Sequence, residues 1–345
     1  MITTTNPPRM VVGIVISLNA ATANLRSQMP HVAYLPRRFV HIFDATRTRQ
    51  VYHVLLYYAF VPISEPEVFA SEHREFCQRL GLKGRILVSE EGINGTVSGP
   101  RDICDQYRAA LHADPRFAKM PFKIDEVEGH TFEKMFVRVK KELVTFRADL
   151  SSDPNTITGH RLAPSQWKER LERGDAIVLD GRTDYEYDIG HFRGAIRPDV
   201  ESFREFPTWI REHLGDKKNV PILTYCTGGV RCEKLTAFMI NDGFTDVYQL
   251  DGGIVTYGKD EETKGALWDG LCYVFDSRIA VEINHTEDRK VVGRCIHCDA
   301  PTERYINCAN QFCNKQHLTC IACEQQFDHT CSVACMDVIH KPVEA

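Results

Sequence analysis

Cysteine placement constrains this chain more than any other feature of its sequence. Eight of its thirteen cysteines fall in one C-terminal stretch, as four successive pairs: Cys295 and Cys298, Cys308 and Cys313, Cys320 and Cys323, Cys331 and Cys335. Disulfide scaffolds are typical of small secreted domains, and a chain of 345 residues is not one. Four thiolate pairs can instead bind two tetrahedral Zn²⁺ ions. The spacing therefore predicts a metal-binding tail.

The sequence leaves the details of this tail open. The pairs can bind in sequential order, or the first can bind with the third and the second with the fourth. His297, His317 or His329 can replace one ligand. The tail has few large aliphatic residues, so a metal would supply its folding energy. Reduced thiols packed on the preceding domain, or an iron–sulfur cluster, are the alternatives to zinc.

Charge and hydropathy limit the classes of protein that this chain can belong to. Lys and Arg number 42 against 47 Asp and Glu, a net charge of −5, so the chain lacks a global basic field for nucleic acid. No apolar run approaches the roughly 18 to 20 residues that span a bilayer. We therefore expect a cytoplasmic protein in a reducing compartment, without membrane association.

The N-terminal segment, residues 1–50, is expected to be a poorly ordered extension or the product of an upstream start codon. Its run MVVGIVISL (10–18) weakly resembles a secretory signal. The absence of Asp and Glu from the first 43 residues weakly resembles an organellar transit segment. A single Arg9 before the apolar run is too thin a basic region to favour secretion.

Residues 51–148 show the order strand, helix, strand, strand, helix, strand. The apolar run HVLLYYAFVPI (53–63) predicts a buried strand, and GRILVSEEGINGTVSG (84–99) predicts a hairpin. Amphipathic segments at 65–80 and 101–117 predict the helices, and 121–147 predicts one or two further strands. This order is that of a ferredoxin-like α+β domain. A linker follows at 149–164.

Residues 165–280 alternate helices with short apolar strands. AIVLD (176–180), PILTY (221–225) and VYQLDGG (247–253) are the predicted strands. Such alternation favours a parallel sheet covered on both faces. Residues 281–345 form the cysteine-rich region. The expected fold class is therefore α/β, with a central parallel-sheet domain between an α+β domain and a small tail.

Cys226 directly follows the strand PILTY and precedes Thr227, Gly228, Gly229, Val230 and Arg231. Ligands of open α/β sheets bind beyond the carboxyl ends of the strands. Two glycines let backbone N–H groups turn inward, the next helix adds its N-terminal partial charge, and Arg231 adds a full one. All three effects favour a thiolate. Cys226 is therefore a candidate nucleophile rather than an inert buried thiol.

Three nearby residues are candidates for supporting roles. Asp180 and Arg182 end the AIVLD strand at the same sheet edge, and a structural ion pair is favoured over substrate contact. Cys232 either resolves an oxidised Cys226 as a disulfide or is a small helix residue; these two interpretations are evenly balanced.

The segments YCTGGVRCEK, DGRTDYEYDIGHFRGAI (180–196) and GFTDVYQLDGGIVTY (243–257) resemble a rhodanese domain. In that resemblance Cys226 carries a persulfide, and Glu186, Gly190 and His191 mostly define the fold. Tyrosine and Cdc25-type phosphatases place Arg six positions after Cys, whereas Arg231 stands five after Cys226. The loop is thus one residue too short for phosphate monoester chemistry.

The order of SEEGINGTVSG, CTGGVRCEK and the cysteine tail resembles the bacterial tRNA uridine(34) hydroxylase family, from about Tyr52 to Cys335. The resemblance implies oxygen-dependent hydroxylation of wobble uridine to 5-hydroxyuridine, with Cys226 as the active-site cysteine. It implies tRNA, bound at its anticodon region, as the partner, molecular oxygen as co-substrate, and an electron donor that the sequence does not identify. No haem, flavin or nicotinamide motif is present in the sequence. A Cys226 thiolate attacking C6 of the uracil is our hypothesis for activating C5.

A tRNA substrate requires a cationic surface. The candidates are Lys134, Arg138, Lys140 and Lys141, of which Arg138 and Lys140 share one strand face. An ordinary solvated strand face is the favoured alternative. For the whole chain, the alternatives are a sulfurtransferase that passes persulfide sulfur through Cys226, and a zinc-tail adaptor with a vestigial rhodanese domain. The intact Cys226 loop argues against the adaptor.

Overall fold

The computed structural model describes residues 50–341. The expectations for the N-terminal extension therefore lie outside the described residues. Among residues 50–341, no helix is long and apolar enough to cross a membrane.

The first domain is a five-stranded sheet with two helices on one face. Its elements are β1 (Tyr52–Phe60), α1 (Pro66–Arg79), β2 (Lys83–Ser89), β3 (Gly92–Pro100), α2 (Arg101–Ala113), β4 (Phe122–Val127) and β5 (Met135–Val139). The strand order is β4-β1-β3-β2-β5, antiparallel except for the parallel pair β2–β5. The predicted ferredoxin-like arrangement is confirmed, with β5 as an added edge strand.

The amphipathic patterns explain which face of this sheet is covered. Helix α1 buries Ala70, His73 and Cys77, and α2 buries Cys104, Tyr107 and Leu111, at the helical spacing of three and four. These side chains pack with alternate residues of β1 to β3 into one apolar core. Leu56 and Tyr58 of β1 point to the opposite face, which is turned toward the second domain.

The second domain is built on a parallel sheet in the order β6-β10-β9-β7. Its elements are β6 (His160–Leu162), α3 (Pro164–Arg173), β7 (Ile177–Asp180), α4 (Asp184–Ile189), β8 (Gly190–Phe192), a 3₁₀ turn (Phe203–Glu205), α5 (Phe206–Leu214), β9 (Ile222–Tyr225), α6 (Val230–Asn241), β10 (Val247–Leu250) and α7 (Gly253–Lys259). The predicted parallel sheet is confirmed. Strand β6 lies within the segment 149–164 that the sequence predicts as a linker.

The C-terminal part begins with β11 (Trp268–Tyr273) and β12 (Ala280–Glu282), which join β8 in a three-stranded antiparallel sheet. A short hairpin, β13 (Tyr305–Asn307) and β14 (Gln316–Leu318), follows, with helices α8 (Ile321–Gln326) and α9 (Val333–His340). Arg193 ties this part to the second domain, because its guanidinium binds both Asp269 at 2.8 Å and Asp288 at 2.7 Å.

Buried charges join the first two domains. Lys234 of α6 is almost fully buried, and its ammonium lies 3.0 Å from Glu91 and 2.8 Å from Glu142, both of which belong to the first domain or the segment just after it. Glu233 accepts a hydrogen bond from the Tyr58 hydroxyl at 2.9 Å and a bidentate pair from Arg161. These contacts hold the open face of the first sheet against the Cys226 loop.

Candidate active site

Cys226 lies where the sequence predicts it, at the carboxyl end of β9 and immediately before α6. Helix α6 begins at Val230, so Arg231 stands in its first turn. Two backbone N–H groups of the α7 start hold the loop: Ile254 donates to the carbonyl of Cys226 at 3.0 Å and Val255 to that of Thr227 at 3.1 Å. The loop is therefore fixed between two helix N-termini.

The loop glycines are needed for close packing. Gly229 has a φ of +99°, a conformation that disfavours any side chain, and a Cβ there would lie 2.9 Å from the Tyr58 hydroxyl. A Cβ on Gly228 would lie 3.0 Å from Leu56. The first domain thus covers this loop so closely that larger residues do not fit without movement.

The surroundings of Cys226 favour the thiolate. The side chain is fully buried, and burial alone would raise its pKa. A hydrogen bond from the Cys232 thiol, the charge of Arg231 and the backbone N–H groups of residues 231 and 232 outweigh burial and lower the pKa to about 5. The Gly229 N–H adds a hydrogen bond to the sulfur at 3.2 Å. Cys232 is correspondingly the protonated partner, since its pKa is raised.

Arg231 is held in place by Glu186. Its guanidinium binds the Glu186 carboxylate in a bidentate pair at 2.7 and 2.9 Å and reaches the Thr227 hydroxyl at 3.3 Å. Burial would raise the pKa of Glu186, but Arg231 and further donors lower it to about 2, so it stays ionised. The resemblance implied that Glu186 mostly defines the fold; the geometry also gives it a direct contact with Arg231 of the Cys226 loop.

Asp180 and Arg182 form a fully buried pair beneath the site. The guanidinium contacts the carboxylate at 2.6 and 2.9 Å and donates to the Gly190 carbonyl at 2.7 Å. The Tyr225 hydroxyl also donates to Asp180, at 2.7 Å. Because Tyr225 precedes Cys226, this pair supports the strand end that presents the cysteine.

A cavity of about 600 Å³ lies between the first domain and the Cys226 loop. The walls combine the loop residues Cys226 to Gly228 with one sheet face of the first domain and with residues 202–204. Five cationic side chains line it: Arg85, Lys140, Arg147, Arg204 and Arg231. Four aromatic side chains line it as well: Tyr58, Phe132, Phe203 and Phe275.

The structure brings only one of the four predicted tRNA-contact residues to this cavity. Lys140 lines it, whereas Lys134, Arg138 and Lys141 do not. Lys134 lines an adjoining depression of about 410 Å³ that shares Arg85 and Phe275 with the cavity. No local sequence pattern identifies Arg85, Arg147 and Arg204 as cavity residues, because they come from three distant segments that only domain packing brings together.

The tail cysteines form two interleaved groups of four. Cys295, Cys298, Cys320 and Cys323 make one group, and Cys308, Cys313, Cys331 and Cys335 make the other; within each group the sulfur atoms lie within 4.8 Å of one another. The pairing is thus first with third and second with fourth. His297 instead stacks on Phe327 at 3.8 Å, and His329 contacts Glu324 at 2.8 Å. Both groups have the composition of a metal site.

Comparisons with known proteins agree with this architecture. Family models match at residues 52–143 (UPF0176 acylphosphatase like domain), 163–260 (Rhodanese-like domain) and 269–336 (Rhodanase C-terminal). The fold and the site therefore define a rhodanese-domain protein with an acylphosphatase-like N-terminal domain.

Curated relatives narrow this class. The tRNA uridine(34) hydroxylase of Bacillus velezensis is 57% identical over 82% of this chain and 88% of its own length. The protein of the same name from Bacillus pumilus is 53% identical over the same shares, and that of Staphylococcus carnosus is 52% identical over 83% and 90%. The chain belongs to the tRNA uridine(34) hydroxylase family.

Proposed function

We propose that this protein hydroxylates the wobble uridine of tRNA to 5-hydroxyuridine, with Cys226 as the catalytic residue and molecular oxygen as co-substrate, in the cytoplasm. The observation that carries the proposal is the cavity between the two domains. It places a thiolate-prone cysteine on the wall of a nucleoside-sized space whose lining contains five cations. Family membership supplies the reaction, and the cavity supplies a place for it.

The cavity suits a nucleotide taken out of a single-stranded loop. Its volume of about 600 Å³ falls within the range of small-molecule sites. Proteins that act on a base extrude it into such a pocket and hold it by stacking and edge contacts. The aromatic rings of Tyr58, Phe132 and Phe275 provide stacking surfaces, and Arg85, Lys140 and Arg204 provide charge for the flanking phosphates.

The low pKa of Cys226 suits it to nucleophilic addition. The thiolate forms a bond to C6 of the uracil, and the electron pair of the C5–C6 double bond moves toward O4, which makes C5 nucleophilic. After C5 has received oxygen, loss of the C5 proton and expulsion of the thiolate restore the double bond. Burial of the sulfur beside Arg231 keeps water from competing at this step.

The oxygen balance requires a reductant. One atom of molecular oxygen enters the base and the other leaves as water, which consumes two electrons and two protons from a donor. We propose a diffusible two-electron reductant as this donor. Arg231, held by Glu186, supplies a fixed positive charge beside the reacting sulfur.

Two of the remaining predicted contacts, Lys134 and Arg138, lie near residues of the cavity wall. Lys134 lines the adjoining depression. Arg138 lies on the same sheet face as Arg85, because Arg85 of β2 pairs with Phe136 of β5, and Phe136 and Arg138 are two positions apart on that strand. We propose that Lys134, Arg138 and Lys141 neutralise phosphates of the anticodon stem-loop outside the cavity, while Lys140 does so from the cavity wall.

Nucleoside mass spectrometry tests the proposed reaction. tRNA is taken from cells that lack the protein and are complemented with wild type, Cys226→Ser or the control Cys104→Ser, which alters another fully buried cysteine far along the chain. Wild type and the control should restore 5-hydroxyuridine-derived nucleosides, and Cys226→Ser should not. Purified protein supplied with isotopically labelled oxygen gas should place the label in the base.

Two results would overturn the proposal. One is restoration of the nucleosides by Cys226→Ser. The other is a purified protein that makes thiocyanate from thiosulfate and cyanide in a Cys226-dependent reaction and leaves tRNA unmodified, which would establish the sulfurtransferase.

We further propose that each cysteine group holds one Zn²⁺. Tetrahedral zinc with Zn–S bonds of about 2.3 Å places neighbouring sulfurs about 3.8 Å apart. The distances Cys298–Cys320, Cys313–Cys331 and Cys331–Cys335 are 3.8, 3.7 and 3.7 Å. These values fit zinc and are too long for disulfides. Each metal would hold separate segments of the tail together and take no step in the reaction.

A further inference from the structure

A second pocket lies outside the Cys226 cavity, in the crease between helix α4 and the tail hairpin. It has a volume of about 430 Å³ and is lined by Tyr185, Tyr305, Asn307, Asn314 and Gln316, a set we name the tyrosine–amide pocket. Asn307 and Gln316 are directly opposite in the β13–β14 pair, so both amides belong to one end of the hairpin. The proposed reaction at Cys226 does not use any of these residues.

The chemistry of this pocket matches a nucleobase. Aromatic rings stack on bases of any sequence, while Asn and Gln offer a donor and an acceptor together, which suits a base edge. Tyr185 is 38% exposed, so a ring surface is available to a ligand. The Tyr273 hydroxyl donates to the Gln316 amide at 3.2 Å and fixes its orientation.

An aromatic track connects this pocket to the active site. Phe275, half exposed, lines the Cys226 cavity and lies 6.0 Å from the Arg231 guanidinium. Tyr273 follows at 5.1 Å between ring centres, and Tyr185 and Tyr305 lie 5.5 and 6.1 Å from Tyr273. A strand with one base in the cavity can therefore continue along these rings to the tyrosine–amide pocket.

Charge beside the pocket favours specificity over general phosphate attraction. A larger pocket of about 730 Å³ lies beside the tyrosine–amide pocket, and Arg294, Lys315, Asp188 and Asp299 are among its lining residues. Cations and carboxylates are balanced there. Binding in this region must then come mainly from stacking and from amide contacts, which are the interactions that read a base.

We propose that the tyrosine–amide pocket binds a nucleobase flanking the target uridine, and so reads the anticodon loop at a second position. The inference rests on the proposed function, because it takes tRNA as the substrate and the Cys226 cavity as the place of the reacting base. Its consequence is that the identity of one flanking nucleotide affects affinity through residues that never touch the uridine.

A thermodynamic cycle tests this proposal. Affinity is measured for a fluorescent anticodon stem-loop RNA and for copies in which each nucleotide flanking the target uridine is replaced in turn by an abasic one. The proteins are full-length wild type, Tyr185→Ala, Gln316→Ala and the control Phe312→Ala. Phe312 is 95% exposed on the same tail and lines neither the tyrosine–amide pocket nor the larger pocket beside it. Its replacement therefore removes an aromatic ring from the tail and leaves the tyrosine–amide pocket unchanged.

At one flanking position, wild type and Phe312→Ala should lose about tenfold or more in affinity when the base is removed, the usual worth of one stacked base. Tyr185→Ala and Gln316→Ala should bind the intact RNA correspondingly less tightly and lose little more at that same position. Tyr185→Phe, which keeps the ring, should bind like wild type. Tyr185 is next in sequence to Glu186, which binds Arg231. Gln316→Ala therefore tests the tyrosine–amide pocket without a change beside the active site.

Additive losses at every flanking position would overturn the inference. The binding cycle needs no turnover, so its outcome is separate from that of the reaction. A wild-type protein that makes 5-hydroxyuridine but shows additive losses refutes the pocket alone. A wild-type protein that makes no 5-hydroxyuridine refutes the proposed function, whatever the cycle shows.

Discussion

Replacing Arg231 with Gln should raise the pKa of Cys226 and so weaken the nucleophile at neutral pH. The thiol pKa of about 5 results from burial, which raises it, opposed by the Cys232 hydrogen bond, the Arg231 charge and two backbone donors. A nearby opposite charge typically changes a pKa by about 1 to 3. Loss of the charge should therefore move the Cys226 pKa to between about 6 and 8.

The substitution also leaves Glu186 without its cation, and a buried unpaired carboxylate is costly. The double variant Glu186→Gln/Arg231→Gln removes both charges and keeps amides in both places. Both variants should show the raised pKa, and the double variant should unfold at a higher temperature than the single one. Arg204→Gln is the matched control, because Arg204 lines the same cavity and is not among the groups with the largest effects on the pKa of Cys226.

The assay is the rate of iodoacetamide alkylation as a function of pH, followed at the Cys226 peptide by mass spectrometry so that the other twelve cysteines do not interfere. Because the thiolate reacts, the wild-type rate should stay level as pH falls from 8 toward 6, whereas the Arg231→Gln rate should fall across that interval. A wild-type midpoint near the ordinary thiol value of about 8.5, or equal midpoints in all variants, would refute this account of the site.

Three further predictions concern the framework around the site. Lys234→Met should lower the free energy of unfolding by about 3 kcal/mol in urea denaturation, because it leaves the carboxylates of Glu91 and Glu142 without their shared cation. Adding Glu91→Gln and Glu142→Gln to this variant should recover most of the lost stability, and no recovery would contradict the charge argument. Burial raises the pKa of Glu142, but Lys234 and backbone donors lower it below its usual value overall, so its contribution is present above about pH 4.5 and lost as pH falls through the lower native pKa. The stability difference between wild type and Glu142→Gln should accordingly shrink in acid, and a difference that grows in acid would reverse the assignment. In the tail, Cys298→Ser/Cys320→Ser should lose one bound zinc and Cys298→Ser/Cys308→Ser should lose both, by atomic emission on purified protein; the opposite result would indicate sequential pairing.

The parts of the structure that depend on local pattern were predictable from the sequence. Alternating and helical periodicity indicated the sheet and helices of both domains, and Cys226 stands at the strand end where PILTY placed it. Helix α6 begins at Val230, because Gly229, in a left-handed conformation, ends the loop that follows the strand.

The parts that depend on domain packing were not predictable. The lining of the cavity by Arg85, Arg147 and Arg204, and the contact of Tyr58 with Glu233, join residues far apart in the chain, and no local spacing encodes them. The Glu186–Arg231 pair had a trace in the sequence, since both residues lie in the rhodanese-like segments, but their contact across 45 positions required the fold. The order of the cysteine pairs likewise required three-dimensional information.

Because the two cysteine groups are interleaved along the chain, neither can be complete until most of the tail has been synthesised. The first group is incomplete until Cys323 has left the ribosome, and by then Cys308 and Cys313 of the second group are already present. The second group is complete only after Cys331 and Cys335 have followed. A chain that stops between Cys313 and Cys320 therefore carries two cysteines of each group and completes neither metal site, whereas one that stops between Cys323 and Cys331 completes the first site alone.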